Sequence, residues 1–129
     1  YHMKIIIAGS REGFTYEFVE EKITFIINPS KSDVIVSGCA RGVDSHAIQY
    51  AKDRNLSCEL FPADWDNLGR KAGPLRNIQM GDYADMLVAF WDGKSKGTKH
   101  MIDYMISINK IAIVICNEPY KIETYNNVW

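Results

Sequence analysis

The chain has little cysteine, little histidine and almost no net charge. Cys39, Cys58 and Cys116 are odd in number and widely spaced. That excludes a disulfide framework and points to reduced, structural thiols in a cytoplasmic protein. Three scattered histidines make no metal-ligating cluster, so neither a metal nor another cofactor is expected. A net charge of −1 supplies no field that would draw the chain to nucleic acid or to a membrane surface. Any anion site must therefore be local. No apolar run reaches the ~18 residues of a membrane span, and no signal peptide is read. Repeats, linkers and low-complexity tracts are missing as well.

What is present suits a packed core. The chain has 129 residues, of which 47% are hydrophobic, and a single domain over residues 3–129 is expected. Tyr1 and His2 ahead of Met3 are read as appended residues and set aside. Short apolar runs predict strands at 3–8, 33–37, 56–61, 86–90 and 111–116. Between them, helical spacing recurs at Val19, Ile23, Ile26 and Ile27, then at Val43, Ala47, Tyr50 and Ala51. A short helix is expected at 75–83, after a loop at 62–74. Another is expected at 98–109, on Thr98, Met101, Ile102, Met105 and Ile108. The tail from residue 117 adds an edge strand or caps the end. Strands alternating with helices imply an α/β fold with a parallel, helix-covered sheet of about five strands. Ligands of such sheets lie beyond the strand C-termini, where strand order reverses.

The loops at those ends hold most of the glycines. Phe90-Trp91-Asp92-Gly93-Lys94-Ser95-Lys96-Gly97-Thr98 runs from a strand through a polar loop into a helix. That arrangement offers free N–H groups and a helix dipole to an anion. Lys94, Lys96 and Lys99 add positive charge, although Thr98 can equally be an N-cap and the lysines a solvated surface. Gly9-Ser10-Arg11 follows the first strand; the glycine permits close backbone approach and Arg11 can grip a phosphate. It is equally an ordinary turn, and no G-x-G-x-x-G fingerprint is present. Gly38, Arg41, Gly42 and Asp44 follow the second strand, where Asp44 either caps the helix or accepts a ribose hydroxyl. Asp64 and Trp65 lie on the long loop, where Trp65 stacks on a base or plugs the sheet edge. Arg76 and Asn77 are placed in the first turn of their helix, where an arginine opposes the dipole and a bound anion would compensate.

These residues also carry a resemblance. Val36-Ser37-Gly38-Cys39-Ala40-Arg41-Gly42-Val43-Asp44 resembles the S-G-x-A-x-G-[IV]-D segment of the DNA-processing protein Smf/DprA. Leu75 to Met80, Ala84-Asp85 and Gly93 to Thr98 are similar to the R-[KN]-x-x-M … A-D … G-G-x-G-T segment of Lonely Guy proteins. Gly9-Ser10-Arg11 matches the first loop of both. Four motifs in order, each after a strand, resemble the SLOG superfamily, in its small YspA-like branch. The resemblance implies a Rossmann-like fold and a nucleotide-derived ligand, lined by Gly9, Ser10, Arg11, Gly38, Arg41, Gly42, Asp44, Arg76, Asn77, Gly93, Gly97 and Thr98. Trp91, Asp92, Lys94 and Ser95 complete the loop.

One departure decides the expected chemistry. Lonely Guy enzymes, which cut nucleoside monophosphates at the N-glycosidic bond, keep a catalytic Glu three residues after the motif threonine. Here that position is Met101, which can neither carry a proton nor stabilise an oxocarbenium ion. Asp103 lies roughly 200° around the helix from it and faces elsewhere. The resemblance thus implies a binder rather than a cutter. The ligand would be a nucleotide signal such as ADP-ribose or cyclic ADP-ribose, sensed or sequestered, in a bacterial cytoplasm or a phage-infected one. The alternative is a phosphoribohydrolase; single-stranded DNA binding would need a basic stripe that the chain lacks. A homodimer or higher homo-oligomer is expected, with Trp65, Trp91 or Trp129 at the interface.

Overall fold

Strand β1 (Lys4–Gly9) carries Ile5, Ile6 and Ile7, each at most 1% exposed. A strand turns successive side chains to opposite faces, so both faces of β1 are covered. The computed structural model describes residues 2–125; Trp129 lies outside them. After β1 come α1 (Tyr16–Ile26), β2 (Val34–Ser37), α2 (Val43–Asp53) and β3 (Ser57–Leu60). Then follow α3 (Trp65–Leu68), a 3₁₀ turn (Gly69–Lys71), α4 (Ala72–Tyr83), β4 (Met86–Phe90), α5 (Lys96–Ser107), β5 (Ile111–Asn117) and β6 (Tyr120–Tyr125).

The sheet order is β3-β2-β1-β4-β5-β6. β1 to β5 pair in parallel, and β6 returns antiparallel along β5. This is an α/β, single Rossmann-like domain, and the undecided tail is an edge strand. One face packs Ile5, Ile7, Ile35 and Val88 against Val19 and Ile23 of α1 and Val43, Ala47 and Tyr50 of α2. The other packs Ile6, Val36, Leu87 and Val114 against Met80 of α4 and Met101, Ile102 and Met105 of α5. The chain steps outward from β1 to β3, then returns to place β4 beside β1. Strand order therefore reverses between β1 and β4, where Gly9 faces Phe90 in register. The two loops that leave these strands open at that switch point.

The helix ends explain where the structure departs from the pattern. Residues 62–74 are not one loop: Asp64 caps α3 by accepting from Asn67 N–H at 3.3 Å, and the 3₁₀ turn leads straight into α4. Gly73-Pro74 reads as a breaker, yet both lie in the first turn of α4. N–H groups there have no partner within the helix, so a proline costs nothing. Arg76 and Asn77 consequently stand in the second turn, not the first, and the dipole argument made for Arg76 does not hold. Helix α5 starts two residues early at Lys96, with Ser95 as N-cap. Thr98 is inside the first turn and is not the cap. At its far end α4 is closed by Lys110, whose Nζ donates to the carbonyls of Gly81 and Ala84 at 2.8 and 2.7 Å. Among the described residues no helix is long and apolar enough to cross a membrane, and no cluster of His, Cys, Asp and Glu is placed to hold a metal.

Candidate functional site

The ends of β1, β2 and β4 surround a cavity of about 310 Å³. Gly9 and Arg11 come from the first loop, Ala40 and Asp44 from the second, Trp65, Gly73, Arg76 and Asn77 from the α3–α4 segment, and Ser95 to Thr98 from α5. Four segments that are far apart in sequence thus meet in one place. Two further concavities adjoin it through Arg11, of about 410 and 350 Å³.

The α5 start is built to stay open. Asp92 accepts from the N–H groups of Lys94 and Ser95, both at 2.8 Å, and closes the turn ahead of the helix. Those bonds hold its carboxyl below the usual range. Trp91 donates its indole N–H to the Ser95 carbonyl at 3.0 Å, and Ser10 accepts from Asp92 N–H at 3.1 Å. Gly93 takes φ +82° at the tip. Ser95 makes no capping bond to the backbone, and no acidic residue lies in the first turn. The N–H groups of Lys96, Gly97 and Thr98 therefore have no carbonyl four residues back within α5, and Ser95 gives them no side-chain acceptor. Lys96 adds a cation where the dipole is already positive. By contrast α1, away from the site, is capped by Thr15 and carries Glu17 in its first turn.

The opposite wall rests on three groups. Arg76 donates Nη1–H to the Gly38 carbonyl and Nε–H to Asn77 Oδ1 at 3.1 Å. Gly38 has no side chain because a Cβ would stand 2.5 Å from Arg76 Nη1. Gly42, at φ +80°, caps α2 with Arg11 pressed against it; a Cβ would lie 2.6 Å from Arg11 Cα. Asp44, one residue inside α2, is 5% exposed and accepts from Ala40 N–H at 3.1 Å. Loss of water pushes its carboxyl up to about 6, against the pull of the Ala40 and Gly9 N–H groups and the charges of Arg76 and Arg11. At neutral pH the cavity thus presents a carboxylate beside two arginines.

The site residues read from sequence fall into three sets. Gly9, Arg11, Asp44, Trp65, Arg76, Asn77, Ser95, Gly97 and Thr98 line the main cavity. Gly38 and Arg41 line the second concavity, and Arg41 and Asp92 the third. Ser10, Gly42, Asp64, Trp91, Gly93 and Lys94 line none of the three, and all but Lys94 hold loops or caps, as described. Asp82 and Asp85, near the end of α4, accept from the Tyr104 hydroxyl and from Lys4 N–H. His46 bonds the Phe14 carbonyl at 3.0 Å and serves the loop.

Sequence reading missed His100, which lines the cavity beside Met101. Asn77 Nδ2 lies 3.2 Å from both the Gly97 carbonyl and His100 Nδ1. Because the amide can only donate, His100 Nδ1 accepts and its proton sits on Nε2. Spacing could have shown it: His100 lies three and four residues after Gly97 and Lys96, on the same helix face. Met101 is 1% exposed and forms part of the cavity wall, while Asp103 pairs with Lys99 at 2.7 Å on the outer surface.

The model of the family described as YspA, cpYpsA-related SLOG family matches residues 3–67. The chain is also 45% identical over 121 residues to Gene 61 protein of Mycobacterium phage D29, an alignment that covers 88% of this chain and 94% of that protein. No solved structure matches it. With half the chain matched by the family model, and with the loops of that half forming one wall of the cavity, the chain belongs to the YspA, cpYpsA-related SLOG family.

Proposed function

We propose that the protein binds a nucleotide, or an NAD-derived nucleotide such as ADP-ribose or cyclic ADP-ribose, and holds it without cutting it. The observation that carries this is the uncapped start of α5, with Lys96 in its first turn, opening into the same cavity as Asp44 and Arg76. A phosphoryl group would take the free N–H groups and offset the Lys96 charge. Asp44 would accept a ribose hydroxyl, and the apolar walls at Met80, Met101 and Trp65 would take a base. Met101 supports holding over cutting, since it offers no proton where related glycosidases keep an acid. A sensor or sequestering role is proposed on the missing acid alone; the likeness to a phage protein is compatible with an infected bacterial cytoplasm as its setting. Trp65, Leu68 and Leu75, all at least 42% exposed, would supply the apolar surface of a homo-oligomer.

A thermal-shift panel of AMP, GMP, NAD, ADP-ribose and cyclic ADP-ribose isomers tests the reading. Ligand at a hundred- to a thousandfold excess over Kd stabilises by about 2.7–4.1 kcal/mol. No shift with any member would remove nucleotide binding from the account.

One observation favours a second reading. Asp44 is a buried carboxyl near pH 6 in the cavity, which suits a general acid or base. A phosphoribohydrolase built on Asp44 would turn over a nucleoside monophosphate and lose that activity in Asp44→Asn. Lack of turnover across the panel retires it.

A further inference from the structure

The second concavity, of about 410 Å³, is lined by Arg11, Arg41 and Arg76 together with Cys39, Pro62 and Trp65. None of its lining residues is acidic. Three arginines that border one space repel one another, and Asp44 in the neighbouring cavity offsets only part of their charge. Glu12 pairs with Arg41 at 3.7 Å with both side chains exposed, and lines the adjoining third concavity with it. The Gly38 carbonyl and the Asn77 amide oxygen take two donors of Arg76, which leaves its other N–H groups for a ligand.

The neighbouring main cavity differs in kind. Ala8, Pro74, Met80, Met101 and the Trp65 ring give it apolar walls, and Asp44 gives it a carboxylate. It suits a base and a ribose, with a first phosphoryl group at the α5 start. At about 310 Å³ it sits at the lower end of small-molecule sites, which run from roughly 300 to 1,000 Å³. Trp65, Arg11, Ala40 and Arg76 border both spaces, so a ligand can pass from one to the other without leaving the protein surface.

We infer that the ligand carries at least two phosphoryl groups, a nucleoside diphosphate or a sugar-linked diphosphate, with its distal anion in the three-arginine chamber against Arg41. This rests on the nucleotide reading above and narrows it. Planar guanidinium groups bind phosphoryl oxygens in pairs, so three of them match a diphosphate better than a monophosphate that the α5 start already neutralises.

Titration calorimetry of AMP, ADP, ADP-ribose, GMP and GDP with wild type, Arg41→Gln and Glu12→Gln separates the possibilities. For the base that binds, the diphosphate compounds should exceed the monophosphate in affinity by at least about tenfold. Arg41→Gln should erase that advantage, its loss for the diphosphate exceeding its loss for the monophosphate by about tenfold, since Arg41 lines the second concavity and not the main cavity. Glu12→Gln should act the other way and tighten the diphosphate, because it releases Arg41 from its carboxylate. Equal affinities for mono- and diphosphate in wild type, or equal losses for both in Arg41→Gln, would overturn the diphosphate inference while nucleotide binding stands. Absence of binding by every compound would overturn both.

Discussion

Arg76 lies across the backbone of Gly38, donating to its carbonyl oxygen, so a side chain from α4 is hooked onto the loop that leaves β2. Gly38→Ala would put a methyl group 2.5 Å from Nη1 and 3.0 Å from Asp44 Oδ2. The flexible tip of the arginine must then swing off the carbonyl, at the cost of one hydrogen bond, roughly 0.5–1.5 kcal/mol. Urea denaturation should show that loss, and calorimetry should show nucleotide affinity falling with it. Unchanged affinity would mean that Arg76 does not depend on the hook.

Gly97 should respond in the opposite sense. It lies in the first turn of α5, and a Cβ there would meet nothing within 4 Å. Alanine in a helix is favoured over glycine by about 0.5–1 kcal/mol. Gly97→Ala should therefore raise the melting temperature of the free protein. It should also weaken nucleotide binding, because the new methyl group occupies the space where a phosphoryl group would approach the backbone. A variant that is both more stable and still binds fully would remove Gly97 from the site.

Asp44 should leave a mark on stability against pH. Its folded pKa of about 6 exceeds the unfolded value of roughly 3.9, so the folded state binds the extra proton between those limits. Stability from this group is greatest below about pH 4, falls as pH rises towards 6 and is flat above, a change of about 3 kcal/mol in all. Asp33 and Asp92 pull the other way, since backbone N–H groups hold their carboxyls low and their contribution is lost as pH falls. Comparison of wild type with Asp44→Asn isolates the one group. The wild-type curve should drop relative to the variant between pH 4 and 6, and parallel curves would contradict a buried, raised carboxyl.

Met101 is argued to be wall rather than reactive group. Met101→Leu keeps volume and polarity and should cost less than about 1.5 kcal/mol. Met101→Glu buries a carboxyl among Met80, Ile102 and Met105 and should cost about 1–3 kcal/mol. Chemical denaturation of both variants checks the contrast. Equal tolerance of leucine and glutamate would show that position 101 faces water and not the core.

Much of this was legible in the chain. The apolar runs marked all five parallel strands to within a residue or so at each end; β1 and β4 are covered on both faces and so apolar throughout, whereas β3, at the sheet edge, alternates and stays mostly exposed. The glycine-bearing loops marked the cavity, because backbone that meets a ligand or another backbone at close range tolerates no Cβ. Gly9, against the Phe90 carbonyl, and Gly42, against the Arg11 backbone, are the cases where the structure shows why. The start of α4 was hidden because Gly73-Pro74 signals a break, while the first turn of a helix is where that pair does no harm. His100 was missed although it shares the helix face of Lys96 and Gly97; its contact with Asn77, twenty-three residues away, is what only the structure shows. Asp64 and Trp91 illustrate the converse: polar and aromatic residues in a site loop drew attention as ligand contacts, and the structure gives them a cap and a loop brace.

The central claim is that this cavity holds a nucleotide and returns it unchanged. The direct measurement is to incubate the protein with each candidate nucleotide, remove the excess, denature the protein and identify what is released by mass spectrometry. The account predicts stoichiometric release of the intact nucleotide from wild type, and less from Gly38→Ala under the same conditions. Release of a free base or a ribose phosphate would show that the site cuts its ligand and would contradict it.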